Sequence, residues 1–140
     1  MDNEETWFSV DVEASGAVPG LCDLVSVGAC VIGDTGTVFY AEVKPHGGLL
    51  DPEAMAVHKL TTEHLLEHGG DPKEIVEAFC RWVKAAANGR HPMFCSWGTF
   101  DWMWMGYYLE RYGERYTYPF GPNSLDLKSY YLGLTKGKEW

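Results

Sequence analysis

The sequence has few cationic side chains and no long hydrophobic run. Its 11 lysines and arginines face 20 aspartates and glutamates, which gives a formal net charge of −9. This charge argues against sequence-independent adhesion to nucleic acid or an anionic membrane, because such binding needs a basic surface. A phosphate-bearing substrate held locally through metal ions is still allowed. No segment approaches the ~20 apolar residues of a membrane span, and the acidic N-terminus lacks a signal core. We therefore predict a soluble, cytoplasmic protein with no membrane partner.

Cysteine is also sparse, and its spacing excludes the common cysteine frameworks. None of the four residues forms the Cys-x-x-Cys pattern of zinc sites and redox motifs. All four lie in apolar stretches, so we expect reduced core thiols of an intracellular protein and no disulfide network. These residues are Cys22, Cys30, Cys80 and Cys95.

The remaining composition is that of a folded domain. Of the 140 residues, 46% are hydrophobic and 14% are aromatic, which is enough for a sizeable core and argues against disorder. We find no linker, repeat or low-complexity segment. The sequence therefore predicts a single domain over residues 1–140.

Hydrophobic patterning and capping signals divide the chain into strands and helices. Strands are predicted at residues 7–13, 24–32, 38–43 and 92–96, with a turn at residues 33–36. Asp51 and Asp71 each precede a proline, which predicts helix starts because Asp caps a helix and Pro is tolerated in its first turn. The predicted helices cover about residues 52–58, 62–69, 72–87, 99–112 and 124–132. This order predicts an α/β fold, with a mixed β-sheet flanked by helices.

Two acids stand one residue apart in the first predicted strand. Because alternate residues of a strand face the same side, Asp11 and Glu13 project together. Carboxylates in a core-forming strand are costly unless a counter-charge is present, and hard divalent cations bind through oxygen ligands. We favour a metal site over the alternative, in which both acids line the polar face of an exposed strand.

A third acid, Asp101, falls in the first turn of the helix predicted to start at Thr99. Alone, it could simply complement the helix dipole. If the strand at 92–96 lies beside the strand at 7–13, however, Asp101 reaches the same sheet end as Asp11 and Glu13. Three converging carboxylates are the usual sign of a metal site.

At this point the chain resembles a known family, the DEDD-type (DEDDh-like) 3′–5′ exonucleases of the ribonuclease H-like superfamily. Residues 10–16 (VDVEASG) resemble their first motif, and residues 97–101 (WGTFD) resemble their second. Residues 51–61 (DPEAMAVHKLT) resemble the element before the second motif, and residues 124–128 (SLDLK) resemble a helix after it. The resemblance covers essentially the whole chain in the same order.

The resemblance implies a ribonuclease H-like fold and a metal-dependent exonuclease that removes nucleotides from the 3′ ends of single-stranded DNA or RNA. It implies that Asp11, Glu13 and Asp101 are catalytic and bind metal, with two Mg²⁺ or Mn²⁺ ions roughly 3.5–4 Å apart. It also implies contacts to the terminal nucleotide, where aromatic side chains can stack on any base. The residues assigned to that contact are Ser15, Gly16, His58, Trp97 and Phe100.

The chain departs from the family at its C-terminal side. The family's third motif is a His, sometimes a Tyr, followed by a fourth metal-binding Asp, and here no His follows His91. We therefore expect a truncated domain that lacks its C-terminal helix, with weak or no activity. A helix supplied by another chain and a degenerate relative are the alternatives. A non-catalytic module that binds nucleic acid or protein is the rival function. Because the loss of a helix should uncover apolar surface, we also expect self-association into a homodimer.

Overall fold

The computed structural model describes residues 4–114 and 119–137, and its centre is one mixed sheet. The strands in the described part of the chain are β1 (Glu5–Ala14), β2 (Leu24–Val31), β3 (Asp34–Glu42), β4 (His91–Ser96) and β5 (Ser124–Asp126). Their order across the sheet is β3-β2-β1-β4-β5. The strands β1, β2 and β3 pair antiparallel, whereas β4 runs parallel to β1 and β5 runs parallel to β4. The predicted mixed sheet is confirmed.

The helices found in the described ranges are α1 (Pro52–His58), α2 (Thr62–His68), α3 (Pro72–Ala87), α4 (Phe100–Tyr112) and α5 (Leu127–Thr135). Three of them begin at caps that the sequence predicted. The side chains of Asp51, Thr61 and Asp71 each accept a hydrogen bond from a backbone N–H in the first turn that follows. Among these residues no helix is both long enough and apolar enough to cross a bilayer.

Two predicted boundaries are wrong. β3 begins at Asp34, so the hairpin turn is shorter than residues 33–36, and Gly33 provides the positive φ of 92° that the tight turn requires. Residues 124–126 were predicted to be helical but form β5 and pair with β4. The last helix starts only at Leu127, because the carboxylate of Asp126 accepts from the backbone N–H groups of its first turn.

The core lies between the sheet and helices α3 and α4. On β1 the side chains of Phe8, Val10 and Val12 are buried on one face of the strand. Phe8 packs edge-on against Trp82 of α3, with ring centroids 5.4 Å apart. The aromatic run at 102–108 contributes to this core, because Trp104, Met105 and Tyr108 are buried. All four cysteines are free thiols; Cys80 and Cys95 are buried, whereas the other two are partly exposed.

The buried aromatic side chain of Phe8 allows a test of this core. We expect Phe8→Ala to lower the free energy of unfolding by about 3–5 kcal/mol, since it removes a fully buried ring and leaves a cavity. Urea unfolding followed by far-UV circular dichroism measures the change. Val38→Ala, at an exposed position of β3, is the matched control and should change stability by less than about 0.5 kcal/mol. Equal effects of the two substitutions would contradict the assigned core.

Candidate active site

The first two site residues stand side by side on β1. Asp11 and Glu13 alternate with the buried residues of the strand, so both point away from the core, as the sequence predicted. Asp11 is exposed and Glu13 is partly buried. Across the antiparallel ladder Asp11 pairs with Gly28, and Glu13 pairs with Ser26. The small residues of β2 therefore leave space beside both carboxylates.

Asp101 reaches this pair from the second residue of α4. The ladder between β1 and β4 runs only as far as the pairing of Ser9 with Cys95. Beyond that point the N–H of Val12 donates to Oδ1 of Asp101 at 2.9 Å. Val12 is the residue between Asp11 and Glu13, so this bond holds the third carboxylate against the segment of β1 that carries the other two. Asp101 is only 6% exposed.

Burial and the neighbouring acids shift the pKa values of Glu13 and Asp101. Burial raises the pKa of Glu13, and the negative charges of Asp11 and Asp101 raise it further. Burial also raises the pKa of Asp101; the Val12 N–H opposes that shift, and the charge of Asp11 adds to it. Burial and the neighbouring negative charges disfavour the ionised forms of Glu13 and Asp101 in the absence of a nearby cation, whereas the Val12 N–H favours ionised Asp101. The site is therefore electrostatically unfavourable until positive charge arrives.

The loop that presents Asp101 is anchored by a residue whose role we did not predict. Gly98 has a positive φ of 95°, and its N–H donates to Oδ1 of Asp126 at 2.9 Å. The hydroxyl of Ser96 donates to the carbonyl of Gly98 at 2.8 Å. Asp126 thus caps α5 and fixes the turn before α4 at the same time. Its position directly before a helix was the available signal, but the partner in the 97–99 loop is distant in sequence.

A groove of about 390 Å³ adjoins the carboxylates. Glu13 forms part of its lining, together with Gly16, Asp51 and Val57. Phe100, which is 41% exposed, completes it from the start of α4. An exposed aromatic ring next to a cluster of acids is suited to stack on a nucleobase. The structure therefore brings Gly16 and Phe100 together with the acids, whereas the sequence did not indicate Asp51 or Val57.

Ser15 is enclosed within the structure. Its hydroxyl donates to the carbonyl of Leu49 and accepts from the N–H of Asp23, each at 2.8 Å. Its own N–H donates to the carbonyl of Asp23, and its carbonyl accepts from the N–H of Asp51. Every polar group of Ser15 is thus used to hold the loop after β1. The neighbouring Gly16 cannot carry a side chain, since a Cβ there would overlap the sulfur of Cys22.

The two remaining predicted residues, His58 and Trp97, are not among the residues that line the groove. His58 ends α1, and its Nδ1 accepts from the N–H of Leu60 at 3.1 Å, while its buried Nε2 has no partner among the described residues. Burial lowers the pKa of His58, and the nearby carbonyl of Ala14 opposes that shift. Trp97 is 61% exposed, so it is not a core tryptophan, and its ring lies 6.3 Å from that of Tyr131.

The donor set fits a hard divalent cation. Carboxylate oxygens are the ligands that Mg²⁺ and Mn²⁺ prefer, and the buried Asp101 pairs with no cationic side chain in the described structure. Within residues 4–114 and 119–137, however, no three His, Cys, Asp or Glu side chains are already grouped closely enough to enclose an ion. Asp11, Glu13 and Asp101 are the residues that would hold such an ion.

The sheet order and the carboxylates at the end of β1 define a ribonuclease H-like nuclease fold. The structure superposes on the nuclease domain of 3′hExo, a DEDDh family member bound to rAMP, with a TM-score of 0.75 at 12% identity, covering 96% of this chain and 72% of that one. It matches product-bound exonuclease I with a TM-score of 0.70 at 17% identity, covering 95% of this chain but only 32% of that one. At these identities the likeness establishes the fold.

The family follows from sequence. The chain is 35% identical over 136 residues to the 3′–5′ DNA exonuclease Cap18 of Escherichia coli, covering 95% of this chain and 71% of the relative. The protein therefore belongs to the DEDD-type 3′–5′ exonucleases, and the predicted family and fold are confirmed. No family profile matches the sequence. Enzymes of this family are hydrolases of phosphodiester bonds that depend on divalent metal.

The bond between Val12 and Asp101 predicts a difference between two substitutions. Asp101→Asn keeps an oxygen for the Val12 N–H and removes a disfavoured negative charge, so we expect metal-free protein at pH 7 to be at least as stable as wild type. Asp101→Ala leaves that N–H unpaired and should cost about 1–3 kcal/mol. Urea unfolding in EDTA measures both effects.

The pH dependence provides the control for this prediction. Because the pKa of Asp101 is raised in the folded state, ionisation of this carboxyl lowers the stability of the fold. This loss of stability is absent at acidic pH, where the carboxyl is protonated in both the folded and the unfolded state. It develops as pH rises through the unfolded pKa and then the folded pKa. The advantage of Asn over Asp should therefore shrink on acidification. If Asn destabilised the protein as much as Ala at pH 7, the assigned role of the Asp101 oxygen would be wrong.

Proposed function

We propose that this protein removes nucleotides from the 3′ ends of single-stranded DNA in the presence of Mg²⁺ or Mn²⁺. The observation that carries the proposal is the hydrogen bond from the N–H of Val12 to the carboxylate of Asp101, since Val12 lies between Asp11 and Glu13 on β1. Two comparisons support the substrate. The sequence relative is named a DNA exonuclease, and an Escherichia coli exonuclease I with the same fold was solved as a complex with single-stranded DNA.

The proposed roles of the acids follow from their placement. Two divalent cations would be held by Asp11, Glu13 and Asp101. Asp101 would be the most firmly positioned ligand, because its hydrogen bond from the Val12 N–H fixes it to β1. When bound, such ions supply Lewis-acid stabilisation of the charge that develops during phosphodiester cleavage. The raised pKa values of Glu13 and Asp101 mean that burial disfavours their ionised forms, and a bound cation would favour those forms.

The terminal nucleotide would occupy the groove beside Glu13. There Phe100 offers a ring face for the base, and Gly16 forms part of the lining. We propose Trp97 as a second stacking surface and His58 as a neutral side chain at the edge of the site, since its pKa is lowered. Ser15 would act through the loop it holds together, because none of its polar groups is free to contact substrate.

The sequence also predicted a homodimer, which stays a prediction. Helix α5 supports it, since Tyr130 and Leu134 are exposed and no residue of this helix is buried within the described structure. An RNA substrate is the other outcome of the activity experiments below.

The activity requires one decisive experiment. A single-stranded oligonucleotide labelled at its 3′ end is incubated with the full-length protein and Mn²⁺, and a 5′-labelled copy reports direction. We expect slow loss of the 3′ label, because residues 1–140 lack the family's third motif, with stepwise shortening of the 5′-labelled strand and no reaction in EDTA. Asp11→Asn should lower kcat by about 10²–10³-fold, the usual scale for losing one stabilising group.

The control for this experiment is Glu110→Gln, which neutralises an exposed acid on α4 away from the carboxylates and should leave the rate unchanged. Metal-independent digestion, digestion from the 5′ end, or full activity of Asp11→Asn would each refute the proposal. Parallel DNA and RNA substrates of one sequence decide which sugar is preferred.

Phe100 yields a separate prediction about binding. We expect Phe100→Ala to raise KM for a single-stranded oligonucleotide by about 5–100-fold, since stacking is worth ~1–3 kcal/mol per base, with a smaller effect on kcat. Phe100→Trp keeps a stacking surface and should retain most of the affinity. Thermal melting should show little change for either variant, because the ring is 41% exposed. An unchanged KM for Phe100→Ala would place the terminal base elsewhere.

A further inference from the structure

A second cavity lies on the other side of the loop that follows β1. Its volume is about 280 Å³, close to the lower end of the range for small-ligand sites. It is lined by that loop near Cys22, by residues 46–49 and by the C-terminal half of α4. It shares none of its lining residues with the groove beside Glu13. The proposed exonuclease reaction does not use it.

A buried carboxylate forms part of this cavity. Asp23 is only 8% exposed, and its Oδ2 accepts from the N–H groups of His46 at 3.1 Å and Gly48 at 2.7 Å. A Cβ on Gly48 would lie 2.8 Å from the Asp23 Cγ, so only glycine permits this approach. Oδ1 of Asp23 has no hydrogen-bond donor among the described residues. Oδ1 is not among the buried atoms that lack a partner, so it is open to solvent, where it can accept a hydrogen bond from an N–H group of a ligand.

The other lining side chains suit a flat, phosphorylated ligand. The rings of His46 and Tyr112 lie 6.4 Å apart with planes inclined by 31°, and Tyr107 adds a third ring. Aromatic faces of this kind bind nucleobases of any sequence by stacking. The guanidinium of Arg111 lies 5.5 Å from the centre of the Tyr112 ring and brings a positive charge to the same cavity. Arginine is the side chain best suited to phosphate.

We propose that this cavity is a second nucleotide site, which selects bases that carry an exocyclic amino group. Oδ1 of Asp23 accepts from the amino group, as acidic side chains do from cytosine N4, while His46 and Tyr112 contact the base and Arg111 contacts its phosphate. Thymine and uracil lack the amino donor and bind more weakly. The nucleotide is either a base of the bound strand or a free mononucleotide, since both present the same chemistry.

The first arm of the test uses free mononucleotides. Binding of dCMP, dAMP, dGMP and dTMP to the full-length protein is measured by calorimetry in EDTA, so that no metal supports binding at the carboxylates. We expect the three amino-bearing nucleotides to bind about tenfold or more tightly than dTMP. Asp23→Asn should abolish that preference, because its amide oxygen keeps the two backbone N–H bonds while its NH₂ replaces the Oδ1 acceptor. Tyr112→Leu should weaken all four alike.

The second arm measures the binding of single-stranded oligonucleotides by the same calorimetry in EDTA. It compares the affinity for oligo-dC with the affinity for oligo-dT. If mononucleotides show no Asp23-dependent preference but oligo-dC does, the occupant is a base of the strand. Phe100→Ala, which alters only the other groove, should leave the base preference intact in both arms. Thermal melting of Asp23→Asn checks that its fold is preserved. The proposal is overturned if neither arm shows a preference for amino-bearing bases that depends on Asp23.

Discussion

The arrangement of the candidate active site depends on one hydrogen bond, from the backbone N–H of Val12 to the carboxylate of Asp101. β1 is the central strand of the sheet, yet its pairing with β4 ends before Val12, so the N–H there would otherwise be buried without a partner. The first turn of α4 supplies the acceptor. A helix side chain thereby accepts the hydrogen bond that a neighbouring strand would otherwise accept. The same contact brings the carboxylate of Asp101 to the pair of acids on β1. Folding and function share this contact.

Local signals allowed much of the fold to be predicted. Asp51 and Asp71, each followed by proline, mark helix starts through contacts within one turn, and the alternation along β1 fixes which face Asp11 and Glu13 occupy. The three acids were predicted as metal ligands because the motifs resemble a family over the whole chain, and that role stays a prediction. Their convergence now has a physical basis in the contact between Asp101 and β1.

Other features escaped prediction because they depend on partners far away in sequence. The strand β5 has three residues, too few for a periodic pattern, and it exists because β4 offers an edge. Asp126 looks like an ordinary helix cap, and its second bond, to Gly98, becomes visible only in three dimensions.

The loop after β1 separates two cavities, and its construction has a consequence for the energetics of binding. The hydroxyl, N–H and carbonyl of Ser15 all form hydrogen bonds with neighbouring segments, and Gly16 packs directly against Cys22. A segment held in this way has little conformational entropy left to lose. The loop is therefore already ordered before a ligand binds on either side. Less of the interaction free energy is then offset by the entropic cost of ordering the protein, and the affinity is higher. The hydrogen bonds of Ser15 thus lower the entropic cost of ligand binding on both faces of the loop.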